Sequence, residues 1–357
     1  MKKTNIVLFL NIYRIIKMCC LYLVISMCCS CSITDIGHIM KNDNIVERSI
    51  FAMDTYMNIR AYGKQAKTAV SLACDKIEEL EQIFSVTEEG SDIFRVNQAD
   101  GKKTEISKDT ANIINKAIQI GEETNGALDI TLYPVLKEWG FTTEEYQIPE
   151  KERLQLLLNN VDYRQIQLQE TQISIPKGAE IDLGALAKGY TSDQIIEIFK
   201  ENGIESALIN LGGNVHTIGT KPDGSLWKIG VRDPFESSGE ICILSITDCA
   251  VITSGTYERY FIGADGKRYW HILNPTDGQP AENGLVSVTI IGKEGLRCDA
   301  LSTALFVSGL DNAIMYWRDY QDFEMILVTE DKRIYITEGI EENIRNVSKM
   351  DMEIINK

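Results

Sequence analysis

The sequence predicts an α+β fold with antiparallel sheets, on three observations. Apolar segments that alternate and are joined by short turn-rich loops recur, as in Ile166–Ile175, Tyr257–Leu273 and Met325–Thr337, and such pairs build hairpins. These hairpins outnumber any strand–helix–strand units, which argues against a doubly wound parallel sheet. There is also no GxGxxG fingerprint, no Walker loop and no short-period repeat.

The chain begins with a targeting segment. Lys2, Lys3, Arg14 and Lys17 form a basic region, and Met18–Cys29 is an apolar stretch too short to span a membrane as a mature helix. It ends in Cys28-Cys29-Ser30-Cys31-Ser32, which looks like a bacterial lipoprotein signal cleaved before a lipid-bearing cysteine. Cys31 is the expected anchor, with Cys28 or Cys29 as alternatives. Residues 1–31 are therefore read as a signal peptide, 32–46 as a polar tether that includes His38, 47–345 as the folded domain and 346–357 as a tail. This places the body outside the cytoplasm on a membrane surface, facing the periplasm or the exterior.

The 357 residues suffice for one large domain or two lobes with a real core. The net charge is −16, and −20 once the leader is removed. A body this acidic is a poor general nucleic-acid binder, so a bound phosphate must be held by local devices. Cys74, Cys242, Cys249 and Cys298 remain after the leader, without zinc spacing. Cys242 and Cys249 are placed to face each other across a hairpin, either as a disulfide or as buried thiols.

In chain order, Glu47–Ala61 reads as a strand containing Met53-Asp54-Thr55, and Gln65–Phe84 as an amphipathic helix with Val70, Ala73, Ile77, Leu80 and Phe84 on its apolar stripe. Ser107 caps a helix that Gly126 stops, and a short helix opens at Pro149. Strands follow at Ser206–Leu211 and Trp227–Val231. Ile241–Ile246 is expected to pair with Ala250–Thr253, and Leu285–Ile291 alternates cleanly. Cys298–Ser308 and Asp311–Tyr320 read as helices.

Chemistry concentrates in a few stretches. In IDLGALAKGY (181–190), Asp182 ends a presumed strand, Leu183-Gly184 turn, and a helix begins near Ala185. A helix start offers free N–H groups and a positive dipole end, and Lys188 adds a charge one turn in. That suits a phosphorylated ligand; an ordinary strand–turn–helix is the plain alternative. Asp299 and Thr303, four apart on a helix, share a face. A carboxylate and a hydroxyl together suit Mg²⁺, unless Asp299 only caps its helix. His271 follows Tyr269-Trp270 and can be a base, a phosphate donor or a packed residue; His216 reads as structural. Asn210-Leu-Gly-Gly-Asn214 and Thr253-Ser-Gly-Thr256 offer bare backbone for close ligand approach. Asp129 is an acid inside a largely apolar stretch.

GALDITLYPVLKEWGF (126–141), IDLGALAKGY, NLGGN, AVITSGTY, YWHILNP and CDALSTALFVSG occur in the order found in FAD:protein FMN transferases of the ApbE type. The chain resembles that family from roughly Ile50 to Val328. The resemblance implies a two-lobed architecture related to the T-fold, with FAD in the cleft. It implies that Asp299, Thr303 and the Ala185 carbonyl bind Mg²⁺. Asp182, Lys188, Met53 and Ala127-Leu128-Asp129 would touch FAD, with Gly212, Gly213, Ser254, Gly255 and Leu273 lining the cleft and His271 as the site histidine. It further implies transfer of FMN from FAD to a Thr or Ser hydroxyl of membrane-associated redox flavoproteins, with FAD hydrolysis or simple flavin binding as alternatives. Where relatives often place a tyrosine to stack on flavin, this chain has Val86-Thr87.

Overall fold

The computed structural model describes residues 45–357 apart from Glu144; the leader, Cys31 and His38 lie outside the described residues. The strands are β1 (Ile45–Ala52), β2 (Thr55–Tyr62), β3 (Thr104–Glu105), β4 (Gln167–Gln169), β5 (Gln172–Ser174), β6 (Ser206–Leu211), β7 (Asn214–Ile218), β8 (Trp227–Arg232), β9 (Glu240–Ile246) and β10 (Ala250–Gly255), then β11 (Tyr260–Ile262), β12 (Arg268–Trp270), β13 (Leu285–Gly292), β14 (Glu324–Thr329), β15 (Arg333–Thr337), β16 (Ile344–Asn346) and β17 (Asp351–Ile355). The helices are α1 (Ala66–Phe84), α2 (Asp92–Gln98), α3 (Lys108–Glu123), α4 (Tyr133–Glu138), α5 (Lys151–Leu158), α6 (Ala187–Glu201), α7 (Gly295–Ser308) and α8 (Leu310–Tyr320).

A nine-stranded sheet in the order β1-β2-β6-β7-β10-β13-β14-β15-β17 runs through the body. Helix α1 buries Val70, Ala73, Ile77 and other stripe residues against Met57, Ile59, Ile209 and Leu211 of β2 and β6. Helix α7 lays Ala300, Leu301, Ala304 and Leu305 in a second core with Ile252, Val288 and Ile290 of β10 and β13. The opposite face of the sheet is covered by β8, β9 and β16, with Trp227, Ile229 and Leu244 in one core with Ile326 of β14. Burying such aliphatic side chains contributes about 1.5–3 kcal/mol each before entropy is counted. The result is an α+β, two-lobed fold, as the sequence predicts.

Several expectations change. Glu47–Ala61 is a hairpin: Met53 and Asp54 both take positive φ, 49° and 58°, and reverse the chain between paired β1 and β2. Two non-glycine residues in the left-handed region carry no obvious turn signature in the sequence. Ile241–Ile246 does not pair with Ala250–Thr253, because β9 pairs with β8 and β16 whereas β10 pairs with β7 and β13. Cys242 lies on β9 and Cys249 in the loop just before β10, both as free thiols, which burial pushes up to about 12. No strand ends at Asp182, since β5 stops at Ser174, and the helix after it begins at Ala187. The segment 346–357 carries β17, which runs parallel to β15 and completes the sheet edge. Among the described residues, no helix is long and apolar enough to cross a membrane.

Candidate functional site

The site forms where α6 crosses α7. Gly189 makes the crossing possible: a Cβ there would lie 2.4 Å from the Gly295 carbonyl oxygen and 2.6 Å from Asp299 Cβ. At this close approach the Gly189 N–H donates to Asp299 Oδ2 at 2.8 Å. Gly189 lies in the first turn of α6, where an N–H has no intrahelical acceptor, so Asp299 satisfies it and the Ala185 carbonyl in the preceding turn is not its acceptor. Asp299 is buried, and burial raises its carboxyl against the opposing pull of Lys188.

Asp299 does not cap its helix. Asp193, one turn beyond Lys188 on α6, does so across the interface, its carboxylate accepting from Gly295 N at 2.6 Å and Leu296 N at 2.9 Å. The capped helix places Thr303 beside Ser254, whose Oγ is 3.2 Å from Thr303 Oγ1 and 2.8 Å from Ser302 Oγ. Asn214, buried next to Asp299, turns its side-chain amide toward that carboxylate and helps to hold it down against burial. The donor set is one carboxylate with neutral oxygens. That fits Mg²⁺, which usually takes one or two carboxylates and completes its shell with water and substrate phosphate.

The Asp182 turn is fixed from two sides. Asn97 on α2 clamps Ile181, accepting from its N–H at 2.7 Å and donating to its carbonyl at 2.9 Å. Asp182 N donates to Ile130 O at 2.9 Å, which ties in the 127–130 loop. Asp129 in that loop spends its carboxylate internally on Thr131 N at 2.8 Å and Tyr163 N at 3.0 Å. The structure therefore uses its side chain to hold the loop that carries Ala127 and Leu128. Desolvation raises the carboxyl of half-buried Asp182, while Arg259 and Lys188 pull it down.

Lys188 is the electrostatic centre. Its charge reaches Asp182, Glu258, His271 and Asp299. His271 lies just past β12, and its Nδ1 sits 3.1 Å from the Arg259 carbonyl. Desolvation, reinforced by Arg259 and Lys188, lowers the imidazole to about 4. Because a carbonyl only accepts, Nδ1 carries the proton and Nε2 is the free base. Met53 meets this assembly through its sulfur, which accepts from Thr191 Oγ1 at 3.9 Å. Gly212 packs onto the same hairpin: at φ 63°, a Cβ there would strike Thr55 at 2.3 Å. Gly213 leaves open space beside it. Ser254 and Gly255 end β10 at Thr303, with a Cβ on Gly255 meeting Tyr257 at 2.6 Å.

Leu273 stands apart from this convergence. Its side chain is core, packed with Leu132, Val135 and Trp139, and its backbone bridges to Pro280. His216 is structural as expected: it is buried against Ser192, and burial lowers its imidazole to about 4. In place of a stacking tyrosine, Val86 packs against the larger core. Asn97, Asp193, Glu258 and Arg259 were not legible in the sequence as site residues. Their partners lie on other elements, and no local motif marks them.

The family model described as the ApbE family matches residues 53–327, most of the chain. The chain belongs to the ApbE family. Among ApbE relatives, the FAD:protein FMN transferase of Klebsiella pneumoniae (strain 342) is 32% identical over 303 residues, covering 84% of this chain and 93% of its own length. That of Treponema pallidum (strain Nichols) is 28% identical over 320 residues, covering 84% and 88%. The crystal structure of the ApbE protein from Thermotoga maritima superposes with a TM-score of 0.79 at 32% identity, covering 85% of this chain and all of that one. The flavin transferase ApbE of Vibrio cholerae gives 0.76 at 27%, covering 84% and 99%.

Proposed function

We propose that the protein transfers FMN from FAD to a Thr or Ser hydroxyl of an acceptor flavoprotein, releasing AMP, in a reaction that needs Mg²⁺. The observation that carries this reading is the convergence of Asp182, Glu258, His271 and Asp299 on Lys188, in a family whose curated relatives are FAD:protein FMN transferases.

Each group then has a role. The N–H groups of Ala187, Gly189 and Tyr190 are already spent on Leu183 O, Asp299 and Leu186 O, so it is the Lys188 side chain that faces the FAD diphosphate. The Met53 turn, the Ala127-Leu128 backbone, Gly212-Gly213 and Ser254-Gly255 line its path, with Leu273 behind. Asp299, Thr303 and the Ala185 carbonyl would hold Mg²⁺, which when bound neutralises charge on phosphoryl oxygens. The acceptor hydroxyl oxygen bonds to the FMN-side phosphorus. Its proton passes to His271 Nε2, the bond from that phosphorus to the bridging oxygen breaks, and AMP leaves with that oxygen. Incubating FAD, Mg²⁺ and an acceptor flavoprotein domain tests the whole reading. A covalently fluorescent acceptor supports it, whereas free FMN alone indicates hydrolysis and unchanged FAD indicates a binder.

His271→Ala should leave FAD affinity near wild type and slow transfer by about 10²–10⁴-fold, the usual worth of a general base. The imidazole, lowered to about 4, is neutral above that pH. The kcat/KM profile of the unmodified protein should therefore have its acid limb near pH 4 and no inflection at about 6.5. Near-normal turnover in the variant would remove His271 from the step.

The acceptors implied are redox flavoproteins at a membrane. The leader supports the same setting, a body anchored by lipid on Cys31 outside the cytoplasm. A palmitate analogue should label the protein in cells, and Cys31→Ser should abolish the label; labelling that persists until Cys28 or Cys29 is replaced moves the anchor.

A further inference from the structure

A second cationic feature lies outside the FAD contacts. After β8, residues 233–239 fold back on themselves: Asp233 N donates to Gly239 O at 2.9 Å, and Asp233 Oδ1 accepts from Phe235 N at 2.8 Å and Glu236 N at 3.2 Å. Between this loop and the β11–β12 hairpin is an open cavity of about 150 Å³, lined by Arg232, Asp233, Phe235, Tyr257, Tyr260 and Arg268. Both guanidinium groups lie over tyrosine rings, Arg232 at 5.3 Å from the Tyr257 centroid and Arg268 at 4.4 Å from that of Tyr260. Among the described residues, no carboxylate lies within 4.0 Å of either. The one acidic side chain lining the cavity, Asp233, already accepts from the loop's own N–H groups.

Two arginines with no carboxylate within 4.0 Å, in one pocket of a chain with net charge −16, call for an anion. Stacking on tyrosine fixes each guanidinium plane and leaves its donors unspent. The pocket adjoins the chemistry. Glu258 feels both Arg232 and Lys188, and Arg259, whose carbonyl holds His271, immediately precedes Tyr260. Two of the lining side chains, Phe235 and Tyr260, are large, apolar-bodied and exposed, as at a protein-docking surface. Lys188 and the Asp299 side already answer the FAD diphosphate.

We propose that the Arg232–Arg268 pocket binds a carboxylate side chain of the acceptor polypeptide and so sets which Thr or Ser reaches His271. This rests on the transferase reading. The test displays random short peptides, each with one central Thr, to the full FAD-loaded protein. One arm without Mg²⁺ scores binding, and one with Mg²⁺ scores covalent flavin. Asp or Glu should be enriched about ten-fold at a fixed offset from the Thr, a difference of one decade in affinity. Arg232→Ala/Arg268→Ala should lose the enrichment with FAD affinity and melting temperature unchanged. Arg232→Gln/Arg268→Gln, which keeps side-chain bulk, guards against misfolding. Enrichment in the binding arm without any flavin label sinks the transferase reading and keeps the pocket. No acidic enrichment, or equal enrichment with the double variants, overturns the pocket. Arginine-dependent stabilisation by inorganic phosphate, with no peptide selectivity, also overturns it, as a site for free anions.

Discussion

Asp299→Asn is expected to abolish Mg²⁺-dependent FMN transfer while the protein stays folded. The carboxylate is the only anionic group among the metal donors assigned here, and Mg²⁺ gives up water reluctantly for a carbonyl and a hydroxyl alone. Losing a positioned divalent charge removes several kcal/mol of stabilisation from the reacting phosphoryl oxygens, about 10²-fold or more in rate. The amide keeps an oxygen for the Gly189 N–H, which now donates to Oδ2 at 2.8 Å. Asp299→Ala is the harsher change: it strands that buried N–H at a cost of about 1–3 kcal/mol. That is more than a lost cap would cost, because the cap belongs to Asp193. Besides activity, the melting temperature of the unmodified protein should rise on adding Mg²⁺, since a ligand of the native state stabilises it, and the Asn variant should lose that rise. Transfer within a few-fold of normal at ordinary Mg²⁺ would overturn the metal assignment.

The parts of this site legible in the sequence share one property: their partners are close in the chain. Asp299 and Thr303 sit four apart on α7, so helical periodicity alone placed them together. Lys188 follows its turn by four residues, and the hairpin around Gly263–Lys267 needed only turn chemistry. What escaped is long-range. Asp193 caps a helix more than a hundred residues away, and Asn97 clamps Ile181 from a helix that periodicity did not mark. The Met53-Asp54 reversal depends on left-handed φ that the paired strands impose on ordinary residues. β9 and β10 are adjacent in sequence, but their apolar faces meet across the gap between two sheets instead of pairing edge to edge. Proximity in the chain favoured the hairpin, and tertiary burial decided against it.

Gly189→Ala separates local propensity from packing at the crossing itself. On an isolated helix the change should stabilise, since alanine is better than glycine by about 0.8–1.0 kcal/mol. In the folded protein the added Cβ would sit 2.4 Å from Gly295 O, 2.6 Å from Asp299 Cβ and 2.8 Å from Gly295 C. Ordinary contacts need about 3.5 Å, and two of these three atoms are backbone that no side-chain rotation can move away. The helices must part by roughly 1 Å, an overpacking cost of about 1–3 kcal/mol or more. Packing therefore wins, and the melting temperature should fall despite the better helix former. The same displacement stretches the Gly189–Asp299 bond and shifts Asp299 relative to Lys188, so transfer should drop by about 10²-fold, as misplacement by 1 Å can cost. Gly90, where an added Cβ meets nothing within 4 Å, is the control, and Gly90→Ala should leave both readouts unchanged. A Gly189→Ala protein that melts higher than the unmodified chain would mean that α6 and α7 do not cross this closely.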